Sequence, residues 1–249
     1  MREPERRIRR TLKSTRTVAA RLRMTLGINM GAPPRITKTA VNKVTNNFAG
    51  DINRARALYE KIVDHRYTSN NAATCDLLRT ADKRDITQFI FFEIAAKFEN
   101  YAMEMFQVKA QSRLRSIKTR SAYVMDDLDN GLGSKLGWGS PEKLKDRGKH
   151  LFGENSFFGD LVNKLGKPTY DTLINAHTAR NRIAHHGGNA QSKFVKLLES
   201  NGIAKNERQG LSVGRFLREY SANSSQKNNF YLYLAGYEEF AKKANAELP

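Results

Sequence analysis

The residues best suited to chemistry lie together in one short stretch, where an arginine–asparagine pair is followed by two histidines. Arg180 and Asn181 precede His185 and His186, and two glycines, 187–188, close the stretch. Arginine presents a planar, permanently charged guanidinium that binds phosphate, and histidine gains and loses a proton near neutral pH. These residue types in this spacing predict acid–base chemistry on a phosphate, and therefore RNA cleavage that needs no metal.

The stretch lies at the end of a predicted helix, whose period of about 100° per residue sorts the side chains into faces. The apolar face contains Leu173, Ala176, Ala179, Ile183 and Ala184. His177, Asn181 and His185 form a polar ladder beside it. Arg180 falls within the apolar arc, so its long side chain must either lie along the core surface or emerge into a groove beside it, and a buried arginine needs a partner. Arg180 and His185 are about 140° apart on an ideal helix, so they share a pocket only if the helix loosens toward Gly187 or a second protomer supplies half of the site.

The chain carries a large positive charge. Its 249 residues contain 43 Lys and Arg against 25 Asp and Glu, which gives a formal net charge of +18. Such an excess favours polyanionic partners through counterion release, and RNA (tRNA, rRNA or mRNA) is the natural candidate. The one cysteine, Cys75, cannot form an internal disulfide, no His or Cys spacing is typical of a metal site, and the longest apolar run, 89–92, is too short to span a bilayer. We therefore predict a cytoplasmic protein with no metal, no cofactor and no transmembrane segment.

The beginning of the chain is especially basic. Residues 1–38 hold 11 Lys and Arg but only Glu3 and Glu5, which predicts a basic arm. Apolar or small residues recur in it at helical intervals, at Ile8, Leu12, Thr15, Ala19, Leu22 and Leu26. The candidate RNA-binding residues are Arg6, Arg7, Arg9, Arg10, Lys13 and Arg16 in the arm, and Arg182 beside the histidines. The same amphipathic arm could instead lie on an anionic membrane surface, on a partner protein, or on the body of the chain.

The rest of the chain shows helical spacing of apolar residues almost throughout, which predicts an all-α fold class. One helix face runs from Val41 to Ile62. A long helix over 84–114 is predicted to turn these residues toward the core: Phe89, Phe92, Ala96, Tyr101, Met105 and Val108. A glycine-rich region, 130–166, is predicted as loops around a short helix that Ser140 and Pro141 begin. Further helices are predicted over 168–185, 189–200, 212–220 and 229–246.

The Arg-Asn-x-x-x-His pattern resembles the signature of the HEPN superfamily, where it ends a late helix of a small helical bundle. Arg180, Asn181 and His185 match that signature residue by residue. The stretch 91–101 looks like the long earlier helix of the family. The closing Ala-His-His-Gly, 184–187, is similar to the RiboL-PSP-like branch of the superfamily.

The resemblance covers about residues 70–200. It implies an HEPN-like helical domain over 39–249, with extra C-terminal helices over 201–249. Many HEPN proteins are metal-independent endoribonucleases of toxin, antiviral or RNA-processing systems, and they often act as dimers whose motif helices face each other. The implied partners are RNA, a second copy of the chain that completes a homodimer, and a cognate antitoxin or sensor protein.

The resemblance also implies a role for each residue of the motif. A ribose 2′-hydroxyl would attack the neighbouring phosphorus, with His185 as the acid–base group and Arg180 stabilising the charge on the phosphoryl oxygens. Asn181 would orient the imidazole or the substrate. His186 also fits the motif spacing and His177 shares the polar ladder, so both are alternative or supporting groups.

Two other interpretations stay open. Some members of the superfamily are inactive, so the chain could be a catalytically inactive RNA- or ribosome-binding helical module. It could also be a helical scaffold whose motif maintains a dimer. In either case His185 would be a helix C-cap, because an imidazolium suits the carbonyl end of the helix dipole.

Overall fold

The computed structural model describes residues 37–64, 67–68, 74–75, 78–114, 137–221 and 227–247. Most of these residues are helical, so the predicted all-α class is confirmed. The helices are, in chain order, α1 Lys38–Tyr59, α2 Thr80–Leu114, α3 Pro141–Phe152, α4 Leu161–Leu165, α5 Lys167–Ala184, α6 Gly188–Ser200, α7 Lys205–Arg208, α8 Val213–Glu219 and α9 Asn229–Glu247. A π-helical turn, Glu60–Asp64, continues α1, and the two-residue strands β1 Tyr67–Thr68 and β2 Thr74–Cys75 pair antiparallel.

α1 begins where the chain offers a cap followed by a stripe of apolar residues. The Thr37 side chain accepts a hydrogen bond from the Ala40 backbone N–H at 3.3 Å, which satisfies one of the free donors of the first turn. The buried residues of the predicted face are Val41, Phe48 and Ile52. Thr37 and Lys38, which the prediction placed in the basic arm, are the cap and the first residue of α1. Residues 1–36 of that arm lie outside the described residues.

α2 is the central helix, and it packs against α1, α5, α8 and α9. Aromatic rings join these helices: Phe98 of α2 stacks on Tyr237 of α9 with 4.4 Å between ring centroids, and Phe48 of α1 stacks on Tyr101 of α2 at 4.6 Å. The expectation that Phe89 faces the core was wrong, because its side chain is 70% exposed. Phe89 lies in the exposed stripe of α2, whose other members are polar: Asp85, Glu93, Asn100 and Glu104.

α3 begins as predicted at Ser140 and Pro141. The Ser140 side chain accepts a hydrogen bond from the Lys143 backbone N–H at 3.4 Å, and Pro141 lies in the first turn, where its missing N–H is not needed. Gly148 allows α3 to approach the backbone closely, since a Cβ at this position would lie 2.4 Å from the carbonyl carbon of Phe158. This contact fixes the loop that leads to α4.

The four helices predicted after the glycine-rich region are confirmed to within one residue at each end as α5, α6, α8 and α9. α9 packs against α1 and α5, so the last helix of the chain closes the bundle around the first and the fifth. The HEPN-like arrangement itself stays a prediction at this point.

Candidate functional site

α5 carries the arginine–histidine motif, and its buried face determines which way the motif points. The helix follows Gly166, whose φ of 80° is a left-handed conformation that glycine adopts at little cost, and Pro168 lies in the first turn. α5 packs against α9, α6 and α2, and its buried residues are Tyr170, Leu173, Ala176 and Ala179. The apolar face predicted from the helical period is therefore present, except that Ala184 in the last turn is exposed.

Arg180 lies at the edge of the buried face and has the partner that this position requires. Its Nη2 donates to Glu99 Oε2 of α2 at 2.9 Å, and its guanidinium carbon lies 5.6 Å from the centre of the Phe92 ring. The pair is largely buried, with 19% of the Arg180 side chain and 23% of the Glu99 side chain exposed. The helical period places Arg180 in the apolar arc of α5, and an arginine that is buried there needs a partner. Glu99 itself could not be identified from the sequence, because it is 81 positions away and only the packing of α2 on α5 brings it near.

The Glu99 carboxylate occupies a confined space. A Cβ on Gly139, in the turn before α3, would lie 2.6 Å from Glu99 Cγ and 2.7 Å from its Oε1. Burial raises the pKa of Glu99 above its ordinary value, although the charge and hydrogen bond of Arg180 act in the opposite direction. Desolvation of this carboxylate therefore outweighs the attraction of its partner. A titratable group whose pKa is shifted by burial beside one specific charge is a candidate functional group, so a functional reason for the pair is worth testing.

The burial of the Arg180 side chain has a second energetic cost. Its Nε is buried and has no hydrogen-bond partner among the described residues. A buried N–H without an acceptor typically costs about 1–3 kcal/mol. The unsatisfied Nε of Arg180 thus adds to the desolvation of Glu99 as a cost of burying this ion pair.

Asn181 links this guanidinium to an imidazole. Arg180 Nη1 donates to Asn181 Oδ1 at 3.2 Å, and Asn181 Nδ2 lies 2.9 Å from His177 Nε2. Because an amide nitrogen only donates, His177 Nε2 accepts, and the ring is neutral with its proton on Nδ1. Burial, followed by the charge of Arg180, lowers the pKa of His177 to about 4, which favours the same neutral form. A continuous hydrogen-bonded chain therefore runs from Glu99 to His177 through the first two motif residues.

His185 ends α5 and stands apart from that chain. It is the C-cap residue, with an extended backbone (φ −131°, ψ 123°), and its N–H donates to the Asn181 carbonyl at 2.9 Å. The His185 carbonyl accepts from Arg182 Nη1 at 3.3 Å. The side chains of His185 and His186 are exposed, and among the described residues no contact joins either ring to Arg180. Two imidazoles are therefore open to solvent at the end of α5.

The remaining candidate residues are placed as follows. Arg182 is half-buried at the end of α5, and the candidates of the basic arm lie outside the described residues: Arg6, Arg7, Arg9, Arg10, Lys13 and Arg16. A surface groove of about 800 Å³ between α6 and α7 is lined by Val195, Glu199 and Arg208, among others, and by none of the candidate residues. This groove is therefore not part of the candidate site.

Three observations complete the description of the site. Within the described ranges, no group of three or more His, Cys, Asp or Glu side chains could hold a metal ion. None of the described helices is long and apolar enough to cross a membrane. Comparison of the chain with models of protein families, with curated protein sequences and with solved structures finds no match.

Proposed function

We propose that this chain is a metal-independent endoribonuclease of HEPN type that acts on RNA where α5 ends. The ion pair between Arg180 and Glu99 carries the proposal, because it holds a phosphate-binding guanidinium at the edge of the buried face of α5, with 19% of its side chain exposed. Asn181 adjoins the guanidinium, and the formal net charge of +18 favours a polyanionic substrate. A toxin or antiviral effector, restrained by a cognate antitoxin or sensor protein, is the setting that such an activity suggests.

The proposed reaction begins when a ribose 2′-hydroxyl attacks the adjacent phosphorus. An imidazole takes the hydroxyl proton, the bond from phosphorus to the 5′-oxygen breaks, and a proton is returned to that leaving oxygen. Arg180 stabilises the charge that accumulates on the non-bridging oxygens, and Asn181 holds the guanidinium in place. His185 is the proposed acid–base group because its ring is open to solvent. His177 Nε2 already accepts from Asn181, so His177 is better suited to position that amide.

The proposal includes a homodimer. Arg180 and His185 are about 140° apart on the helix, and their side chains do not meet among the described contacts of one chain. A symmetric pairing of two α5 helices would place the His185 ring of one protomer near the Arg180 guanidinium of the other. Each protomer would then contribute one half of each of two equivalent sites.

A second candidate function is a catalytically inactive RNA-binding module. The observation that favours it is the separation of the two residue types within one chain, since the His185 ring is exposed while Arg180 is held by Glu99. In that case the positive charge of the chain binds RNA and His185 serves as the C-cap of α5. The two functions differ in whether RNA is cut.

Incubation of the purified chain with tRNA and with total RNA in excess EDTA tests the proposal. We expect cleavage products that end in a 2′,3′-cyclic phosphate, and no cleavage of DNA, because DNA lacks the attacking hydroxyl. His185→Ala and Arg180→Ala should each lower the rate by about 100-fold or more. Lys196→Ala, an exposed change on α6, is the matched control and should leave the rate unchanged.

Circular dichroism and a thermal unfolding curve should accompany each variant, because loss of activity is informative only for a folded chain. Arg180→Lys keeps the positive charge and removes the fork that reaches Glu99 and Asn181, so it should be far less active than the native chain. Cleavage that requires a divalent ion would overturn the proposal. RNA binding without any cleavage would favour the inactive module.

A further inference from the structure

Three arginines converge on one carboxylate where α8 packs against α2. Arg84 of α2 donates from Nε to Glu219 Oε1 at 2.7 Å, and Arg215 of α8 donates from Nε to Glu219 Oε2 at 2.9 Å. The Nη1 atom of Arg218 lies 3.7 Å from Glu219 Oε1. Both oxygens of this carboxylate are therefore occupied, and three guanidiniums share one negative charge.

The close packing of α8 on α2 fixes the position of these arginines. A Cβ on Gly214 would lie 2.1 Å from the carbonyl oxygen of Arg84, so the backbones of the two helices meet beside the cluster. Phe216 and Leu217 of α8 are fully buried and anchor the helix in the core. Arg84 and Glu219 are 135 positions apart, so only the packed fold assembles the cluster.

Positive charge exceeds negative charge in this cluster. Burial acts to raise the pKa of Glu219, but the hydrogen bonds and charges of Arg84 and Arg215 outweigh it and hold the pKa below its ordinary value, so the carboxylate is ionised at neutral pH. Among the described residues, no second carboxylate lies within ion-pair distance of the three arginines. After the hydrogen bond to Glu219, which has the largest effect, the more distant charge of Glu207 also raises the pKa of Arg215. Three guanidiniums against one carboxylate, or against two if Glu207 is counted, leave an excess of positive charge.

The arginines also keep hydrogen-bond donors that face solvent. Arg84 and Arg215 use Nε to bind Glu219, and no described residue accepts a hydrogen bond from their Nη atoms or from Arg218. None of these nitrogens is among the buried polar atoms that lack a partner. The exposed fractions of the three side chains are 31%, 40% and 24% in chain order. A guanidinium presents its N–H groups in a planar fork that matches the oxygens of a phosphate.

Docking of the two helices does not require all three arginines. Arg56 of α1 binds Glu238 of α9 at 2.7 Å, with 32% and 41% of the side chains exposed, so a comparable contact between helices has one arginine for its carboxylate. Arg54 of α1 likewise pairs with Asp51. By this comparison one arginine would suffice to hold α8 on α2, and the other two need a different explanation.

We infer that Arg84, Arg215 and Arg218 form a binding site for a phosphate group of the RNA backbone. The inference rests on the proposed function only in taking RNA as the ligand, because phosphate binding needs no cleavage. Arg84 and Glu99 are about 22 Å apart along the axis of α2, so this site is separate from the motif on α5. Contacts to phosphate fix the position of a strand and carry no information about its bases. The site should therefore hold RNA without selecting its sequence.

The salt dependence of binding tests the site. A single-stranded 2′-O-methyl oligouridylate is the probe, because it has no free 2′-hydroxyl and cannot be cleaved by the proposed reaction. Its affinity for the full chain is measured by fluorescence anisotropy over a range of salt concentrations. Arg215→Gln with Arg218→Gln removes two guanidiniums and leaves Arg84 paired with Glu219. The slope of log affinity against log salt should fall by about 0.7, the contribution of one phosphate in a single strand.

The matched control removes two arginines that each have their own carboxylate. Arg54→Gln with Arg56→Gln takes the same charge from α1 and should leave the slope within about 0.3 of the native value. Thermal unfolding curves show whether both double variants remain folded. Arg218→Gln alone makes the same test if Arg215→Gln disturbs α8, because Arg218 contacts Glu219 only at 3.7 Å, and it should weaken binding of the probe about threefold.

Removal of the shared carboxylate distinguishes a phosphate site from a cluster that only docks α8. Glu219 competes with phosphate for the same guanidiniums, so Glu219→Gln should raise the affinity for the probe about threefold. Glu238→Gln removes an equal charge from the pair with Arg56 and should change the affinity less than about 1.5-fold. If the cluster only docks α8, Glu219→Gln should lower the midpoint of thermal unfolding and change the affinity no more than Glu238→Gln does.

The outcomes separate this site from the proposed catalysis. A slope that falls equally in both double variants would mean that only the net charge matters, and it would overturn the site, as would an unchanged slope in the first double variant. Equally tight, equally arginine-dependent binding of poly-glutamate would assign the arginines to polyanions in general and would also overturn it. A native chain that binds the probe but cuts no RNA would remove the catalysis, while the predicted slope change would still support the site.

Discussion

Arg180 forms an ion pair with Glu99, and the charge of the guanidinium only partly offsets the desolvation of this carboxylate. Arg180→Ala leaves that carboxylate without its partner, so we expect the free energy of unfolding to fall by about 2 kcal/mol. Glu99→Gln keeps an acceptor oxygen near Arg180 Nη2 and removes the desolvated charge, so the change should stay within about 1 kcal/mol. Urea unfolding at neutral pH measures both values. Glu104→Gln, exposed on the same helix, is the control, and a larger loss for Glu99→Gln than for Arg180→Ala would contradict this account.

His177 should make stability depend on pH. Burial and then the charge of Arg180 lower the pKa of His177 from 6.5 to about 4, so between these values the unfolded chain binds a proton that the folded chain does not. The free energy of unfolding should therefore fall as the pH drops through this range, by up to about 1.4 kcal/mol per pH unit from this residue. His177→Gln keeps an acceptor for Asn181 and cannot titrate, so it should lose less stability on acidification. Urea midpoints at about pH 7 and about pH 4.5 compare the two chains; equal losses would refute the neutral, accepting imidazole.

At the scale of elements, close backbone contacts between helices set which glycines can change. A Cβ on Gly214 of α8 would lie 2.1 Å from the carbonyl oxygen of Arg84 in α2, whereas a Cβ on Gly50 of α1 would meet nothing within 4 Å. We expect Gly214→Ala to lower the free energy of unfolding by about 3 kcal/mol, because α8 must move away from α2. Gly50→Ala should raise it by about 0.5–1 kcal/mol, since alanine is favoured over glycine in the interior of a helix and a Cβ there meets no other atom. Thermal and urea unfolding report both changes, and a tolerated Gly214→Ala would show that α8 does not pack as described.

The ends of the elements are where local sequence was most informative. Ser140 with Pro141 begins α3, and the glycines after His185 separate α5 from α6, because caps, prolines and glycines act through the few residues beside them. The buried faces were predicted correctly for some helices and incorrectly for others. α5 has one apolar face and was predicted well, but Phe89 of α2 was assigned to the core because it is apolar, although it lies in an exposed stripe with Asp85 and Glu93.

For the whole molecule, the proposed dimer makes a quantitative prediction about mixtures. If each site combines Arg180 of one protomer with His185 of the other, a heterodimer of an Arg180→Ala chain and a His185→Ala chain contains one intact site and one doubly altered site. Equal amounts of the two inactive variants, unfolded together and refolded, should therefore recover about a quarter of the native ribonuclease activity. Each variant refolded alone is the control. Recovery near zero would show that both residues act within one chain.

The sequence by itself determined the helical class, the order and ends of most helices, the net charge of +18 and the requirement that Arg180 find a partner. The net charge follows from composition alone, and the helices and their ends follow from caps and from a period of a few residues, which lie within a short stretch of chain.

Only the tertiary structure decided that the partner of Arg180 is Glu99. It also decided that His185 stands open to solvent at the end of α5 while Arg180 is largely buried. The physical reason is that hydrogen bonds and ion pairs are set by distances of a few ångströms between side chains. The distance between Arg180 and Glu99 arises from how α5 packs on α2, and residues 81 positions apart carry no local signal of that packing.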